Sequence, residues 1–343
     1  MRNSRLWGVL LVLLLAVVVF VFRGRIHFDV HSFVAEVRQI DGRHVAAGVA
    51  LILGCYWLRA MRWALFLRPQ KKVSAVAVLG SQFIGFTAVA LFGRLADLTR
   101  PYLVARRTRL SVSSQIAVYT VERMFDMGSA ALIFSGALAF MPKTPLMPHA
   151  EVIARLGRGS LLATLALAVF AVALRVTGEA IARFAKVVFG ALSPSLGENV
   201  AEKIRGFREG LRVVTSVGEF LYALGLSLAM WMMIAMAYVQ CVHAFRETPQ
   251  LAQMSFAQTM LLMASSIAGS VVQLPIVGWF SQIGVTAAAM SGLFGVRVET
   301  ATACGAVILA VCSLSVIPVG LIYAQFEQVS LKTVAKESAQ AEA

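Results

Sequence analysis

The chain has 343 residues, of which 59% are hydrophobic and only 14% charged, with a mean hydropathy of +0.79. A soluble domain carries about 25% charged residues, so this composition excludes one and reads as a polytopic, all-α membrane protein forming a single integral domain over 1–343. The net charge of +14 would point to nucleic acid in a soluble protein; in a chain this apolar, Lys and Arg are expected in cytoplasmic loops facing anionic lipid, and no nucleic-acid partner is expected.

Spanning the hydrocarbon takes about 20 apolar residues. The first run, 7–22, is followed by "VFRGRIHF" with no small-residue cleavage site, so it reads as an uncleaved helix and not a signal peptide. Further spans are expected near 45–67, 112–140, 157–174, 217–243 and 300–325, six in all. Two apolar stretches are less regular: 74–93, and 255–296, which is interrupted by Gly269, Pro275, Gly278, Gly284 and Gly292. Between spans, 175–215 is amphipathic, with Phe184, Val187 and Val188 on one side and Arg183 and Lys186 on another. It is expected to lie on the cytoplasmic leaflet. The polar tail, 331–343, is expected to be disordered. Cys55, Cys241, Cys304 and Cys312 are scattered through apolar runs without metal or disulfide spacing, and His27 and His31 have no further clustered ligands. Neither a metal nor a cofactor is expected.

The Lys/Arg distribution sets the topology. The loop at 68–72 has three basic residues, 94–109 has five and 175–212 has seven; short basic loops stay cytoplasmic. The first two share a side only if the segment 74–93 enters and returns as a re-entrant hairpin. With both termini cytoplasmic, 255–296 must likewise begin and end on one face, the outer one. Two opposed hairpins within about six spans are the outline of an inverted repeat, and broken segments in corresponding halves mark a transporter's binding site.

Ionisable residues at membrane depth are costly and usually functional. Gln115, Tyr119, Glu122, Asp126 and Ser129 are spaced by four, three, four and three, which puts them on one helix face. Arg123 is three residues from Asp126 and able to pair with it. Arg59 and Arg62, in "WLRAMRW", belong to the cytoplasmic half of their span and converge with Arg94 and Arg100. Such a cluster suits a phosphate, which a guanidinium grips with a planar fork of donors. In "GRLADLTRP" a short return helix is expected after Gly93, with Asp97 three residues from both Arg94 and Arg100 and Pro101 near its end.

The combination "RAMRW" (59–63), "GRLADLTRPYLVARR" (93–107) and "ERMFD" (122–126) resembles the flippase-like membrane family that includes the transmembrane region of lysylphosphatidylglycerol synthases. That family carries P-G-R-x-G-E-x-x-R followed by E-R-x-x-D, onto which Arg94, Asp97, Arg100, Glu122, Arg123 and Asp126 map. Phe92 replaces the family's proline, and Ala96–Asp97 replaces Gly-Glu. The family's late glycine-rich segment, often ending in G-V-x-E, corresponds to "PIVGWFSQIGVTAAA". Gly284 and Val285 fit it, Ala287 stands at the acidic position, and Gln282 is the polar substitute. The resemblance implies a flippase-like transporter of a polar-headed lipid, anionic or zwitterionic, in a bacterial cytoplasmic membrane, with a homo-oligomer possible. It also implies a binding set of Arg59, Arg62, Arg94, Asp97, Arg100, Tyr119, Glu122, Arg123, Asp126, Gln282 and Gly284. The synthases add a soluble aminoacyl-transfer domain, which is not expected here, and no enzyme activity is expected. The alternatives are an intramembrane lipid-modifying enzyme, with Glu122 or Asp126 as base, and a lipid-binding or assembly protein that transports nothing.

Overall fold

The computed structural model describes residues 29–141, 150–190, 193, 195, 198–199, 216–270 and 277–330. The expected span 7–22 and the tail 331–343 lie outside them, as does most of 191–215. The described residues are helical, with no strand among them. The helices are α1 (Val30–Arg38), α2 (Gly42–Leu67), α3 (Ala75–Phe92), α4 (Thr99–Thr108), α5 (Val112–Ala139), α6 (Ala150–Gly190), α7 (Val217–His243), α8 (Phe256–Gly269), α9 (Val277–Phe294) and α10 (Val298–Phe326). Side-chain caps fix several starts: Asp41 on α2, Ser74 on α3, Ser111 on α5, Ser216 on α7, and a reciprocal Ser255–Gln258 box on α8. The Arg43 backbone N–H, with help from the Arg246 guanidinium, holds the Asp41 carboxyl below its ordinary value.

Among the described residues, six helices are long and apolar enough to cross a membrane: 42–67, 75–92, 151–169, 217–243, 277–294 and 298–326. α5 is also long enough, at 28 residues, but carries Glu122, Arg123 and Asp126, which lower its apolarity. The expected spans 45–67, 112–140, 217–243 and 300–325 coincide with α2, α5, α7 and α10.

Three expectations change in detail. The stretch 74–93 does not turn back within itself: α3 is one unbroken helix, because Gly80 and Gly85 are helical and only Gly93 breaks it. Gly93 has φ 74° and ψ −161°, a conformation open to glycine and costly for other residues. The chain reverses there through the tight turn Gly93–Ala96 and returns as α4. The span at 157–174 and the first part of the amphipathic segment, as far as Gly190, follow one another in α6 as two helical pieces meeting at a kink at Thr177 (φ −115°, ψ 15°). Phe184 and Val187 are exposed on it, as are Leu156, Leu162 and Leu167. Finally, α10 widens into a π turn at Ala310–Leu314. Pro318 explains it: proline has no N–H for the carbonyl four residues back, and its ring crowds that carbonyl.

The helix ends sort into two faces. At one, Lys71 Nζ donates to the Thr108 carbonyl (3.0 Å), Ser114 Oγ donates to Gln70 Oε1 (2.5 Å), and Arg107 pairs with Glu327. At the other, the Asp41 N–H donates to the Ala244 carbonyl (2.9 Å), Arg246 pairs with Asp41 (2.6 Å), and Thr300 donates to Glu36 (3.0 Å). Met141, Ala257 and Phe294 form one apolar cluster with Ile153 near that face. So α3–α4 opens and closes on the first face, and α8–α9 on the second.

Small residues set the close contacts, as expected where lipid supplies no hydrophobic drive between helices. A Cβ on Gly320 would lie 2.0 Å from Thr87 Oγ1 and 2.6 Å from the Phe83 carbonyl; one on Gly284 would meet nothing within 4 Å. Gly320→Ala should therefore lower the melting temperature in detergent, at a cost of about 1–3 kcal/mol. Gly284→Ala should leave the melting curve unchanged or slightly raised. Equal curves for the two variants would remove the α3–α10 contact as a packing constraint.

Candidate functional site

Four helices meet at one buried place, three of them bringing charge. Arg59 and Arg62 come from α2, Arg100 from α4, Glu122, Arg123 and Asp126 from α5, and α7 supplies Ser227. Arg62 lies 2.9 Å from Glu122 and 2.7 Å from Asp126, and its Nη1 donates to Ser227 Oγ at 2.6 Å. Arg100 Nη1 lies 2.9 Å from the other Glu122 oxygen and 3.3 Å from Gln82 Oε1. Arg59 is held more loosely, 3.8 Å from Glu122 and 3.6 Å from Asp126. Arg123 reaches Asp126 at 3.4 Å and Glu122 at 3.9 Å. The stripe on α5 points inward as its spacing requires: Gln115, Glu122, Asp126 and Ser129 are buried, and Gln115 accepts from Trp63 Nε1 at 3.1 Å.

Aromatic rings close the space around the guanidinium groups. Arg100 stacks over Phe86 (4.3 Å), Tyr119 (5.2 Å) and Trp63 (5.5 Å), Arg59 over Phe86 as well (4.6 Å), and Arg123 over Tyr119 (5.0 Å). Such contacts favour a desolvated cation by about 2 kcal/mol or more. Gly85 makes the approach of Arg100 feasible, since a Cβ there would sit 2.0 Å from Arg100 Cγ. At 1.5 Å per residue, Arg62 lies about 8 Å, Arg59 and Arg100 about 12 Å, Glu122 about 15 Å and Asp126 about 21 Å from the face bearing Lys71 and Thr108.

The charges do not balance. Arg59, Arg62 and Arg100 are all buried, against the two buried carboxylates of Glu122 and Asp126. Four guanidinium nitrogens in this space have no hydrogen-bond acceptor, Arg59 Nη1, Arg62 Nε, and Arg100 Nε and Nη2, and the two Asp126 oxygens, though close to Arg62 and Arg59, accept no hydrogen bond. An unpaired buried donor is expensive, and a surplus of guanidinium donors is complementary to an oxyanion.

Of the other expected site residues, Asp97 is part-buried beyond the end of the Gly93–Ala96 turn. It is near enough to act electrostatically on Tyr119 and Arg123. It does not orient Arg100 as its spacing implied, because 97–98 is turn and not helix, and Arg100 takes Glu122 as its carboxylate. The side chain of Arg94 lies outside the described residues. Gln282 is buried but belongs to a separate, uncharged group, donating to Ser266 Oγ (2.9 Å), which also accepts from Tyr238 (3.1 Å). Gly284 is on the exposed side of α9 with open space around it, and is not part of the charged site. The sequence reading missed Gln82, Phe86, Trp63 and Ser227. Gln82 in an otherwise apolar run was the one available signal; Phe86, Trp63 and Ser227 have common core identities and carry none.

A family description, the lysylphosphatidylglycerol synthase TM region, matches residues 5–322. The chain belongs to this family. Comparison with curated proteins and with solved structures gave no match. The match covers every helix that builds the charged site, so the arrangement of Arg59, Arg62, Arg100, Glu122 and Asp126 lies within the family's membrane region.

No cluster of metal-ligating side chains occurs among the described residues. The four cysteines are free, three of them buried and Cys312 half-buried. The geometry predicts strong coupling across the site. Glu122→Ala leaves Arg62 and Arg100 buried without their shared carboxylate and should destabilise the protein by about 3–5 kcal/mol. The double variant Glu122→Leu with Arg100→Met removes charge from both sides and should melt closer to wild type than Glu122→Ala. Additive losses in that comparison would mean the two residues are not energetically coupled.

Proposed function

We propose that this integral membrane protein is a flippase-like transporter that moves a lipid with an anionic, phosphate-bearing head group between leaflets. One observation carries the reading: a buried surplus of arginine over carboxylate, with guanidinium N–H groups lacking acceptors. In the unliganded arrangement Glu122 and Asp126 partly satisfy the arginines; a phosphate would complete the set. Arg59 is the group freest to take it, because its carboxylate contacts are the longest of the three buried arginines. A transporter is favoured over an enzyme because Glu122 accepts from both Arg62 and Arg100 and Asp126 lies 2.7 Å from Arg62, so each buried carboxylate is held beside a guanidinium charge that disfavours its taking up a proton.

The arrangement of the helices supports alternating access through opposed hairpins. α3–α4 begins and ends at the face where Lys71 meets Thr108, and α8–α9 at the face where Ala257 meets Phe294. α8, at 14 residues, is about 21 Å long and too short to cross a hydrocarbon core of about 30 Å. The first face carries Arg68, Lys71, Lys72, Arg106, Arg107 and Arg109, which favours a cytoplasmic position. The site would then open first to the inner leaflet of a bacterial cytoplasmic membrane.

Two measurements test this. Gln70→Cys and Arg106→Cys should react with an impermeant thiol reagent only from the cytoplasmic side, and Glu247→Cys only from outside; reaction of 70 and 106 from opposite sides would remove the first hairpin. In proteoliposomes, Arg59→Lys should lower lipid translocation about tenfold, with little change in melting temperature, because a point charge cannot reproduce the planar fork. Wild-type translocation by that variant would remove the head-group clamp.

A further inference from the structure

We infer that the charged site has a lateral doorway in the flank of the protein, framed by Asp97, Tyr119 and Arg123, through which the anionic head group passes while its acyl chains stay in the bilayer. The inference rests on the lipid reading above and adds the route and the first residue met. Arg123 is unlike the other arginines of the cluster. Its side chain is 38% exposed, against 10% for Arg59 and 1% for Arg62 and Arg100. It belongs to an outward stripe on α5 made of Ala117, Thr120, Arg123 and Met127, spaced by three, three and four residues. Its neighbour one turn on, Met127, is 73% exposed, as suits a lipid-facing position.

The depth makes this stripe informative. Arg123 follows Val112 by eleven residues and so lies about 16 Å from the start of α5, near the middle of a core about 30 Å thick. From there the side chain is too far from either interface to snorkel to water. A guanidinium at that depth is held either by protein or by water, never by hydrocarbon. Protein holds only part of this one. Its Nη2 approaches Asp126 at 3.4 Å, and Nε and Nη2 are enclosed without a hydrogen bond, while the side chain as a whole is 38% exposed. The Tyr119 ring underlies it at 5.0 Å, and Asp97, from the turn before α4, acts on both. The seam between that turn and α5, where the Arg123 side chain is 38% exposed, is therefore where the doorway brings the cluster to the outside and admits water.

A doorway so placed orders the contacts. The phosphate meets Arg123 first, which is paired in the closed state with Asp126 and Glu122. It then passes Tyr119 to reach Arg59 and Arg100. Asp97 at the rim offsets the positive field and keeps Arg123 from holding the anion permanently.

The test uses a full chain with Cys55, Cys241, Cys304 and Cys312 changed to Ala, carrying Tyr119→Cys, Arg123→Cys or Met127→Cys, with Gln70→Cys as the surface reference. Each is reconstituted in phosphatidylcholine vesicles and treated on both faces with an uncharged, water-soluble thiol reagent. Positions 119 and 123 should react at least about tenfold faster than 127, since water is excluded from hydrocarbon. If Arg123→Cys fails to fold, Tyr119→Cys decides alone, with Arg123 intact. Adding phosphatidylglycerol to the vesicles should slow reaction at 119 severalfold relative to 70. Unreactive 119 and 123 beside a reactive 70 would overturn the doorway. Unchanged reaction at 119 with phosphatidylglycerol would remove the anionic head group from it. Equal protection by inorganic phosphate in pure phosphatidylcholine vesicles would replace the lipid with a soluble anion and overturn the lipid route. Translocation without labelling would discard the doorway and keep the transporter; labelling and protection without translocation would do the reverse.

Discussion

The structure depends on the cost of burying a guanidinium in a low-dielectric interior without a carboxylate beside it. Arg62 is almost wholly buried and touches Glu122, Asp126 and Ser227 together, so α2, α5 and α7 must meet at one level. Arg100 adds α4 to the same point through Glu122. Ion pairs of this kind contribute little net stability over well-packed apolar groups, but breaking one side is costly. Their effect is thus to fix which helices are neighbours and at what height, which is what a binding site needs.

Glycine supplies the room for that arrangement. Arg100 reaches Glu122 only because the chain reverses at Gly93 with a positive φ and because Gly85 leaves space for the arginine stem. The far side of α3 is held by Gly320 of α10 against Thr87 and Phe83, and by Tyr323 stacked on Phe83 at 5.5 Å. The hairpin is consequently wedged between a charged face and a close-packed apolar one. The later helices differ in chemistry: Gln282 of α9 and Ser266 of α8 form an uncharged group with Tyr238 of α7, and Ala287 is buried in the apolar core. Among the described residues, the buried arginines all belong to α2 and α4.

Much of this was legible in the chain. Hydrophobic runs of spanning length located α2, α5, α7 and α10, since membrane burial is set by composition over about 20 residues. The inward face of α5 followed from helical periodicity, because Gln115, Glu122, Asp126 and Ser129 cannot face lipid unsatisfied. Arg123 with Asp126 is a local pair, and local spacing sufficed. The basic runs at 68–72 and 94–109 required a common side, and Lys71 beside Thr108 meets that requirement.

Tertiary structure decided what spacing along the chain cannot encode. Asp97 is three residues from Arg100, yet Arg100 takes Glu122, because the intervening residues form a turn and the helix begins only at Thr99. Gly284 and Gln282 sit in a segment that resembles a site motif, yet one faces open space and the other a neutral hydrogen-bond group. The aromatic faces around Arg100 come from three different helices, and Trp63, Phe86 and Tyr119 have no sequence relation to one another. The sequence by itself determined the membrane class, the basic face and the polar stripe, because these depend on composition and period. Which arginine meets which carboxylate, and which rings enclose them, depended on helices packed side by side, a relation that exists only in three dimensions.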